Sequence, residues 1–204
     1  MSLIVLSGVP GSGKTTLANG LHKMLTESGR ECSIITEPNV ESGAFVNNHS
    51  EVLARGNFKA AVHRELSPSK VVIADGMNFI KGFRYELFCY AREQSLSYCV
   101  AFCDVDPAQA KERSITRYPE EILDKLIHRM ERPNEQNKWD RPLFVVTDPT
   151  SEEMIGNIIK QALSRTTKLS AKKATASLTT AVHLNEEVDR ITSVFCEKLL
   201  AIQN

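Results

Sequence analysis

The sequence of this chain predicts an α/β protein with a doubly wound, mainly parallel five-stranded sheet and flanking helices. Three observations lead to this prediction. Short apolar runs alternate with longer stretches of helical periodicity, and the first apolar run ends at a glycine-rich turn that opens a helix. The length of 204 residues also suffices for one domain with a substantial core. Such alternation is typical of a parallel sheet covered by helices on both faces.

The first predicted strand, residues 3–7, is a continuous apolar run, as expected for a central strand buried on both faces. The helix that follows at 14–27 carries Leu17, Leu21 and Leu25 about one turn apart. The later segments repeat this alternation of strand and helix. A turn-rich loop is predicted at 37–49, after the second strand. The further strands are predicted at 32–36, 70–74, 98–103 and 143–147, and the further helices at 50–66, 81–94, 107–116, 119–129 and 151–164.

The last forty residues or so differ in composition from the rest. Residues 166–180 are small, polar and basic, which predicts a flexible linker. Residues 181–204 place apolar side chains at steps of three and four, which predicts one amphipathic helix. We therefore expect a main domain over residues 1–165, followed by a short helical appendage.

Charge and hydropathy narrow the classes of function. The chain has 25 Lys and Arg against 25 Asp and Glu, so no global field attracts nucleic acid or a membrane surface. No stretch approaches the ~18 consecutive apolar residues that span a bilayer, so no membrane association is expected. The five cysteines show no C-x-x-C spacing, which favours a reducing compartment. We expect a cytoplasmic protein, with the nucleus left open as a second compartment.

The glycine-rich turn matches G-x-x-x-x-G-K-T between a strand and a helix, which predicts the P-loop of a nucleoside triphosphatase. Glycines let backbone N–H groups turn toward an anion, and the helix dipole favours the same phosphates. Lys14 is expected to contact the β- and γ-phosphates of ATP, and Thr15 to bind Mg²⁺. The predicted nucleotide-binding residues of this segment are Gly8, Val9, Pro10, Gly11, Ser12, Gly13, Lys14, Thr15 and Thr16.

Two carboxylates follow strands whose carboxyl ends are expected beside this turn. Asp75 follows the third strand and is predicted to be a catalytic residue and a metal ligand beside Thr15, with turn capping as the alternative. Glu37 follows the second strand, where a carboxylate receives a hydroxyl proton or orients water. A solvated loop glutamate is an equal alternative for Glu37. Together with Lys14, these two residues are the first predicted catalytic residues.

Basic residues are concentrated after the third and fourth strands, the usual place for a mobile lid over a triphosphate. Arginine there neutralises charge on a transferring phosphoryl group. Arg84 and Arg129 are predicted as catalytic residues, and Arg113 and Arg117 as nucleotide-binding residues. A solvated helix face is an equal alternative for Arg113, Arg117 and Arg129. For Arg132 it is the favoured interpretation.

Two segments resemble a known family. Residues 75–87, DGMNFIKGFRYEL, and residues 129–144, RMERPNEQNKWDRPLF, are similar to the killer toxin insensitivity protein twelve family. Those proteins are P-loop ATPases associated with Elongator, and they are similar to phosphoseryl-tRNA kinase. The resemblance covers residues 2 to about 165. It implies ATP hydrolysis stimulated by tRNA, in support of the modification of wobble uridines by Elongator.

Two positions depart from the family pattern. Arg132 occupies the position at which the family pattern has the second of two glutamates. Thr36 and Glu37 occupy the two positions at which the family tends to carry Asp-Glu. The second departure favours hydrolysis over transfer to a hydroxyl group. Three functions stay open: a tRNA-stimulated ATPase, a kinase acting on seryl-tRNA or a small hydroxyl compound, and a non-enzymatic adaptor clamped by nucleotide.

Some polar and aromatic residues have two interpretations each. Trp139, the single tryptophan, either stacks on a base or packs its loop against the core, and packing is favoured. Asn78 and Asn134 either fix substrate or loop geometry, or form turns. The short basic stretch at 165–173 either neutralises tRNA phosphates or belongs to a solvated linker.

Overall fold

The computed structural model describes residues 2–38, 44–45 and 47–164 of the chain. The predicted linker at 166–180, the predicted helix at 181–204 and the basic stretch at 165–173 lie outside the described residues. The domain boundaries near residue 165 therefore stay predictions.

The described residues form strands and α-helices in the alternating order that the sequence predicts. The strands are β1 (Ser2–Ser7), β2 (Cys32–Thr36), β3 (Val71–Asp75), β4 (Ser97–Cys103) and β5 (Leu143–Val146). The helices are α1 (Lys14–Glu27), α2 (Asn48–Glu65), α3 (Lys81–Glu93), α4 (Pro107–Ser114), α5 (Glu120–His128) and α6 (Glu152–Leu163). A short 3-10 turn, Lys138–Asp140, precedes β5.

Helix α2 begins earlier than predicted because Asn47 caps its first turn. The Ser50 N–H donates to Asn47 Oδ1 at 2.9 Å, and the Asn47 N–H donates to Ser50 Oγ at 3.1 Å. This reciprocal capping box satisfies two donors that a helix start leaves without partners. The hydrophobic pattern gives no sign of it, since Asn47 and Ser50 are both polar.

The five strands form one parallel sheet in the order β2-β3-β1-β4-β5, which confirms the predicted fold class. Strand β1 is central, and the strand order changes direction there. In open α/β sheets, ligands bind beyond the carboxyl ends of the strands at such a point. The residues that meet at this edge include Ser7, Asp75 and Cys103.

Alternating side chains of β1 enter two different cores, as the period of two in a strand requires. Ile4 and Leu6 pack with residues of α1 and α6, including Leu21. Leu3 and Val5 pack on the opposite face with residues of α2 and α3. These four side chains are fully buried, so they hold the end of β1, and with it the start of the following loop, in a fixed position in the sheet.

No helix among the described residues has both the length and the apolar composition needed to cross a bilayer.

Candidate nucleotide-binding site

The loop between β1 and α1 has the backbone that its glycines predict. Gly11 and Gly13 adopt φ values of 77° and 91°, the left-handed region that favours glycine. Gly13 is the N-cap of α1 and has no side-chain cap. The first amides of α1 therefore have no side-chain acceptor at this position, and with the helix dipole they form an anion site.

Lys14 points its ammonium group back over the loop. Its Nζ donates to the Val9 carbonyl at 2.7 Å, with a longer contact of 3.5 Å to Ser12 Oγ. Burial lowers the pKa of Lys14, while the nearby acidic groups Cys103, Asp75 and Glu37 raise it. A partly desolvated cation in this place is suited to hold a phosphate oxygen.

Thr15 and Asp75 meet at the edge of the sheet. Thr15 Oγ1 donates to Asp75 Oδ2 at 2.8 Å, and Asp75 is only 3% exposed. Burial raises the pKa of Asp75, and the Thr15 hydrogen bond and the Lys14 charge lower it. A hydroxyl and a carboxylate are hard oxygen ligands of the kind that Mg²⁺ prefers, so these two residues fit a magnesium site.

Glu37 is held beside this pair by backbone contacts. Its N–H donates to the Asp75 carbonyl at 2.8 Å, and its Oε2 accepts the Met77 N–H at 2.7 Å. Burial raises the pKa of Glu37 to about 7, although the Met77 bond and the Lys14 charge oppose the change. The carboxyl group is therefore able to change its protonation state close to neutral pH.

One cavity of about 180 Å³ brings most of the predicted residues together. It is lined by parts of the P-loop, the ends of β2 and β3, and the region around the end of α4. The predicted residues among its lining are Pro10, Gly11, Lys14, Thr15, Glu37, Asp75, Arg113 and Arg117. Gly8, Val9, Ser12 and Gly13 complete the loop itself, and Thr16 lies exposed in the first turn of α1.

Arg84 is not part of this cavity, and its placement corrects the prediction of a phosphate-facing arginine. The side chain is 0% exposed and its Nε donates to Asp140 Oδ1 at 2.7 Å. Helix α3 turns Arg84 inward because its neighbours on the same face, Leu87 and Ala91, are core residues. A residue enclosed in this way does not reach a transferring phosphoryl group.

Arg129 also lies away from the residues that line the cavity. Its two terminal nitrogens each lie 2.9 Å from an oxygen of the Glu51 carboxylate, and its guanidinium sits 5.2 Å from the centre of the Phe79 ring. This arrangement joins the end of α5 to α2 and does not support the predicted catalytic role. Arg132 pairs at the surface with Asp104, in keeping with its expected exposure.

Sequence reasoning misses two residues that line the cavity and one buried carboxylate outside it. Tyr118 and Ser114 line the cavity from the region around the end of α4, and Asp140 fixes Arg84 from a distant loop. Asp140 lies in the WDRPLF run, but neither periodicity nor spacing predicts a buried carboxylate there. Trp139 packs edge-on against Tyr85 of α3, with ring centres 5.3 Å apart. Tyr85 is half-exposed, so this contact joins the loop to α3 at the surface, and packing against the core stays a prediction.

Comparison with known proteins adds evidence at the level of the whole chain. A family model described as chromatin associated protein KTI12 matches residues 1–204. Protein KTI12 homolog of Xenopus laevis is 33% identical over all of this chain and 76% of its own length. Protein KTI12 of Saccharomyces cerevisiae is 37% identical over 73% of this chain. The chain spans only 52% of that yeast protein.

Solved structures agree with the fold. The crystal structure of Chaetomium thermophilum Kti12 in complex with ADP-AlF3 has a TM-score of 0.69 and 33% identity, covering 79% of this chain and 99% of that one. The APS kinase CysC of Mycobacterium tuberculosis, in complex with AMPPNP and APS, has a TM-score of 0.59 at 13% identity, covering 80% of this chain and 98% of that one. That second likeness is evidence for a shared fold alone.

Proposed function

This chain belongs to the KTI12 family, and from that membership we propose that it binds ATP with Mg²⁺ at the P-loop and hydrolyses it. The observation that carries the proposal is the 2.8 Å contact between Thr15 and Asp75 beside Lys14, within one cavity. A related protein of known structure holds ADP and aluminium fluoride, and such complexes imitate a phosphoryl group in transfer.

The loop amides and Lys14 have complementary parts in this proposal. The amides of the P-loop bind the phosphate oxygens by their hydrogen bonds, and the ammonium group of Lys14 exchanges the Val9 carbonyl for a phosphate oxygen. Thr15 and Asp75 hold Mg²⁺, which neutralises phosphate charge when it is bound. Arg113 and Arg117 line the same cavity, and their positive charge favours added negative charge there.

Glu37 is the residue that we place next to the attacking oxygen. Its Oε2 is fixed by the Met77 N–H, so the carboxyl group has a defined direction in the cavity. A pKa of about 7 allows it to orient water or accept its proton at neutral pH. Because Thr36 stands where an aspartate would precede it, Glu37 is the carboxylate at the end of β2 for this task.

The test is ATP turnover by the purified chain, with and without tRNA. Lys14→Ala is expected to reduce turnover at least about 10²-fold while keeping the folded structure, because it removes a charge at the reacting phosphates. Lys23→Ala is the matched control, since Lys23 is exposed and pairs only loosely with Glu27. Equal turnover in parent and Lys14→Ala would exclude this site.

A kinase is the second candidate, and one observation favours it. The cavity continues past the P-loop to Thr36, Pro38 and Met77, with Glu37 between them, so a hydroxyl group has room to replace water. ATP labelled at its γ-phosphate, incubated with seryl-tRNA, separates the two reactions. Label on the RNA supports the kinase, and label only in inorganic phosphate supports the ATPase.

We further propose, from the family resemblance, that tRNA stimulates turnover and that the protein acts with Elongator on wobble uridines in the cytoplasm. A local basic surface is required, because the chain has no net charge to attract RNA. Co-purification of Elongator subunits with the full-length protein tests the partner. Tight ATP binding without turnover, together with nucleotide-dependent capture of Elongator, would support the adaptor function in place of the enzyme.

A further inference from the structure

Arg84 and Asp140 form an ion pair with no exposed surface on either side chain. Arg84 Nε donates to Asp140 Oδ1 at 2.7 Å, and Nη2 lies 3.5 Å from Oδ2. The remaining terminal nitrogen, Nη1, donates to the Asn78 carbonyl at 2.9 Å. The guanidinium thus links a carboxylate from one loop to the backbone of another.

Asn78 contacts the end of β1, where the P-loop begins. Its carbonyl also accepts the Ser7 hydroxyl at 3.2 Å, and its Nδ2 donates to the Leu6 carbonyl at 2.6 Å. The neighbouring Met77 carbonyl accepts the Gly8 N–H at 3.0 Å. Asn78 makes these contacts with a φ of 43°, an uncommon value for a residue with a side chain. The start of the P-loop therefore depends on where Asn78 is held.

Asp140 is bonded on its other side to a surface loop. Its Oδ2 accepts the Asn134 N–H and the Asn137 Nδ2, each at 3.1 Å. These bonds close residues 134–140, here called the 134–140 loop. A chain of direct hydrogen bonds consequently runs from the 134–140 loop through Asp140 and Arg84 to the backbone at the P-loop.

Stability alone does not account for a buried pair of this kind. The cost of removing two charges from water offsets much of their attraction, and apolar residues of similar volume often replace such pairs without loss of stability. Apolar residues, however, have no donor for the Asn78 carbonyl and no acceptor for the Asn134 N–H. What the pair contributes beyond packing is the fixed position of those two backbone groups.

We propose that Arg84 and Asp140 are positioning residues of the nucleotide site, which hold the start of the P-loop in register with the 134–140 loop. The proposal rests on the proposed binding of nucleotide at the P-loop. Neither side chain touches the nucleotide, since both are enclosed and outside the residues that line the cavity. Because coupling between sites is reciprocal, bound nucleotide must also stabilise the hydrogen bonds of the 134–140 loop.

The first test replaces both charges by apolar side chains. Arg84→Met with Asp140→Leu is expected to keep the fold, yet to weaken ADP binding about tenfold, within the roughly 5- to 150-fold range of coupled sites, and to lower kcat as well. Lys59→Met with Glu86→Leu is the matched control, because that ion pair joins α2 to α3 at a partly exposed position. Unchanged ADP affinity and kcat in the folded double variant would overturn the proposal.

The second test uses the unaltered protein and so does not depend on the variants folding. Saturating ADP with aluminium fluoride is expected to slow hydrogen exchange of the Asn134 N–H several-fold. ADP affinity is measured first by calorimetry. If ADP does not bind, the proposed function and this coupling both fail. If ADP binds and exchange at Asn134 is unchanged, only the coupling fails.

Discussion

Gly11→Ala tests how closely the P-loop must approach helix α4. A Cβ atom at Gly11 would lie 2.4 Å from the Ala110 carbonyl oxygen and 2.3 Å from Ser114 Oγ. Gly29 is a natural control, because it has a similar φ of 70° but nothing within 4 Å of an added Cβ. The two alanine variants share the backbone strain and differ in the collision.

The expected magnitudes follow from these distances. Backbone strain of about 1–2 kcal/mol in the left-handed region applies to both variants. In a chain of this size it lowers Tm by roughly 2–8 °C. Ordinary van der Waals contact of a Cβ atom begins at 3.4 Å, and the added Cβ would lie 2.4 Å from the Ala110 carbonyl oxygen. In Gly11→Ala alone, therefore, the two atoms must separate by about 1 Å more. The Ser114 hydroxyl is able to rotate away, whereas the backbone carbonyl is not.

A misplacement of about 1 Å near reacting groups costs on the order of 10²-fold in rate. We therefore expect ATP turnover to fall about 10²-fold in Gly11→Ala and to stay near the parent value in Gly29→Ala. Thermal unfolding followed by circular dichroism gives the stability of each variant, and phosphate release gives its turnover. Turnover of Gly11→Ala within twofold of Gly29→Ala would refute the inferred need for close approach.

Two further substitutions test the electrostatics of the site. The pKa of Glu37 is raised from an ordinary 4.5 to about 7, so the folded state holds this proton more tightly than the unfolded chain does. Above pH 7, where the group is ionised in both states, this difference lowers the free energy of unfolding by up to about 3 kcal/mol. Glu37→Gln is therefore expected to be more stable than the parent at pH 8 and to lose this advantage as the pH falls to 4.5. The measurement is urea unfolding at both pH values, and an equal difference between the two proteins at pH 8 and pH 4.5 would contradict the expectation. Asp75→Asn is expected to lower turnover about 10²-fold and to raise the Mg²⁺ concentration needed for half-maximal rate, because it removes a negative oxygen next to Thr15. Glu27→Gln, an exposed carboxylate on α1, is its control, and the same Mg²⁺ dependence in both variants would count against a metal contact at Asp75.

Local sequence patterns are sufficient to predict the fold, the P-loop and the two carboxylates of the site. The apolar run of β1, the glycine turn and the helical spacing of α1 are adjacent in sequence, so their arrangement follows from neighbouring residues alone. Asp75 and Glu37 were predictable as well, since the carboxyl ends of parallel strands meet at one edge. Their contacts with Thr15 and Met77 agree with that geometry.

The arginines could not be assigned in this way. Arg84 lies on α3 after β3 and Arg113 lies on α4 after β4, and the guanidinium group by itself gives each residue the same reason to face a phosphate. Arg84 lies on the core face of α3 with Leu87 and Ala91, and Asp140, 56 residues later in the chain, supplies the buried carboxylate that its guanidinium meets. Arg113 reaches the cavity because α4 packs near the P-loop, where the Ala110 carbonyl and Ser114 Oγ come close to Gly11.

The sequence by itself determined the parallel α/β architecture, the P-loop and the carboxylates beside it, because strand burial, glycine torsions and strand ends are set by local chemistry. Only the tertiary structure decided which charges face the cavity and which face each other. An arginine is directed by the carboxylate or backbone oxygen that it meets, and those partners come from distant parts of the chain. Burial then makes this arrangement permanent, because a guanidinium enclosed in the protein loses much free energy if it gives up its hydrogen-bond acceptors.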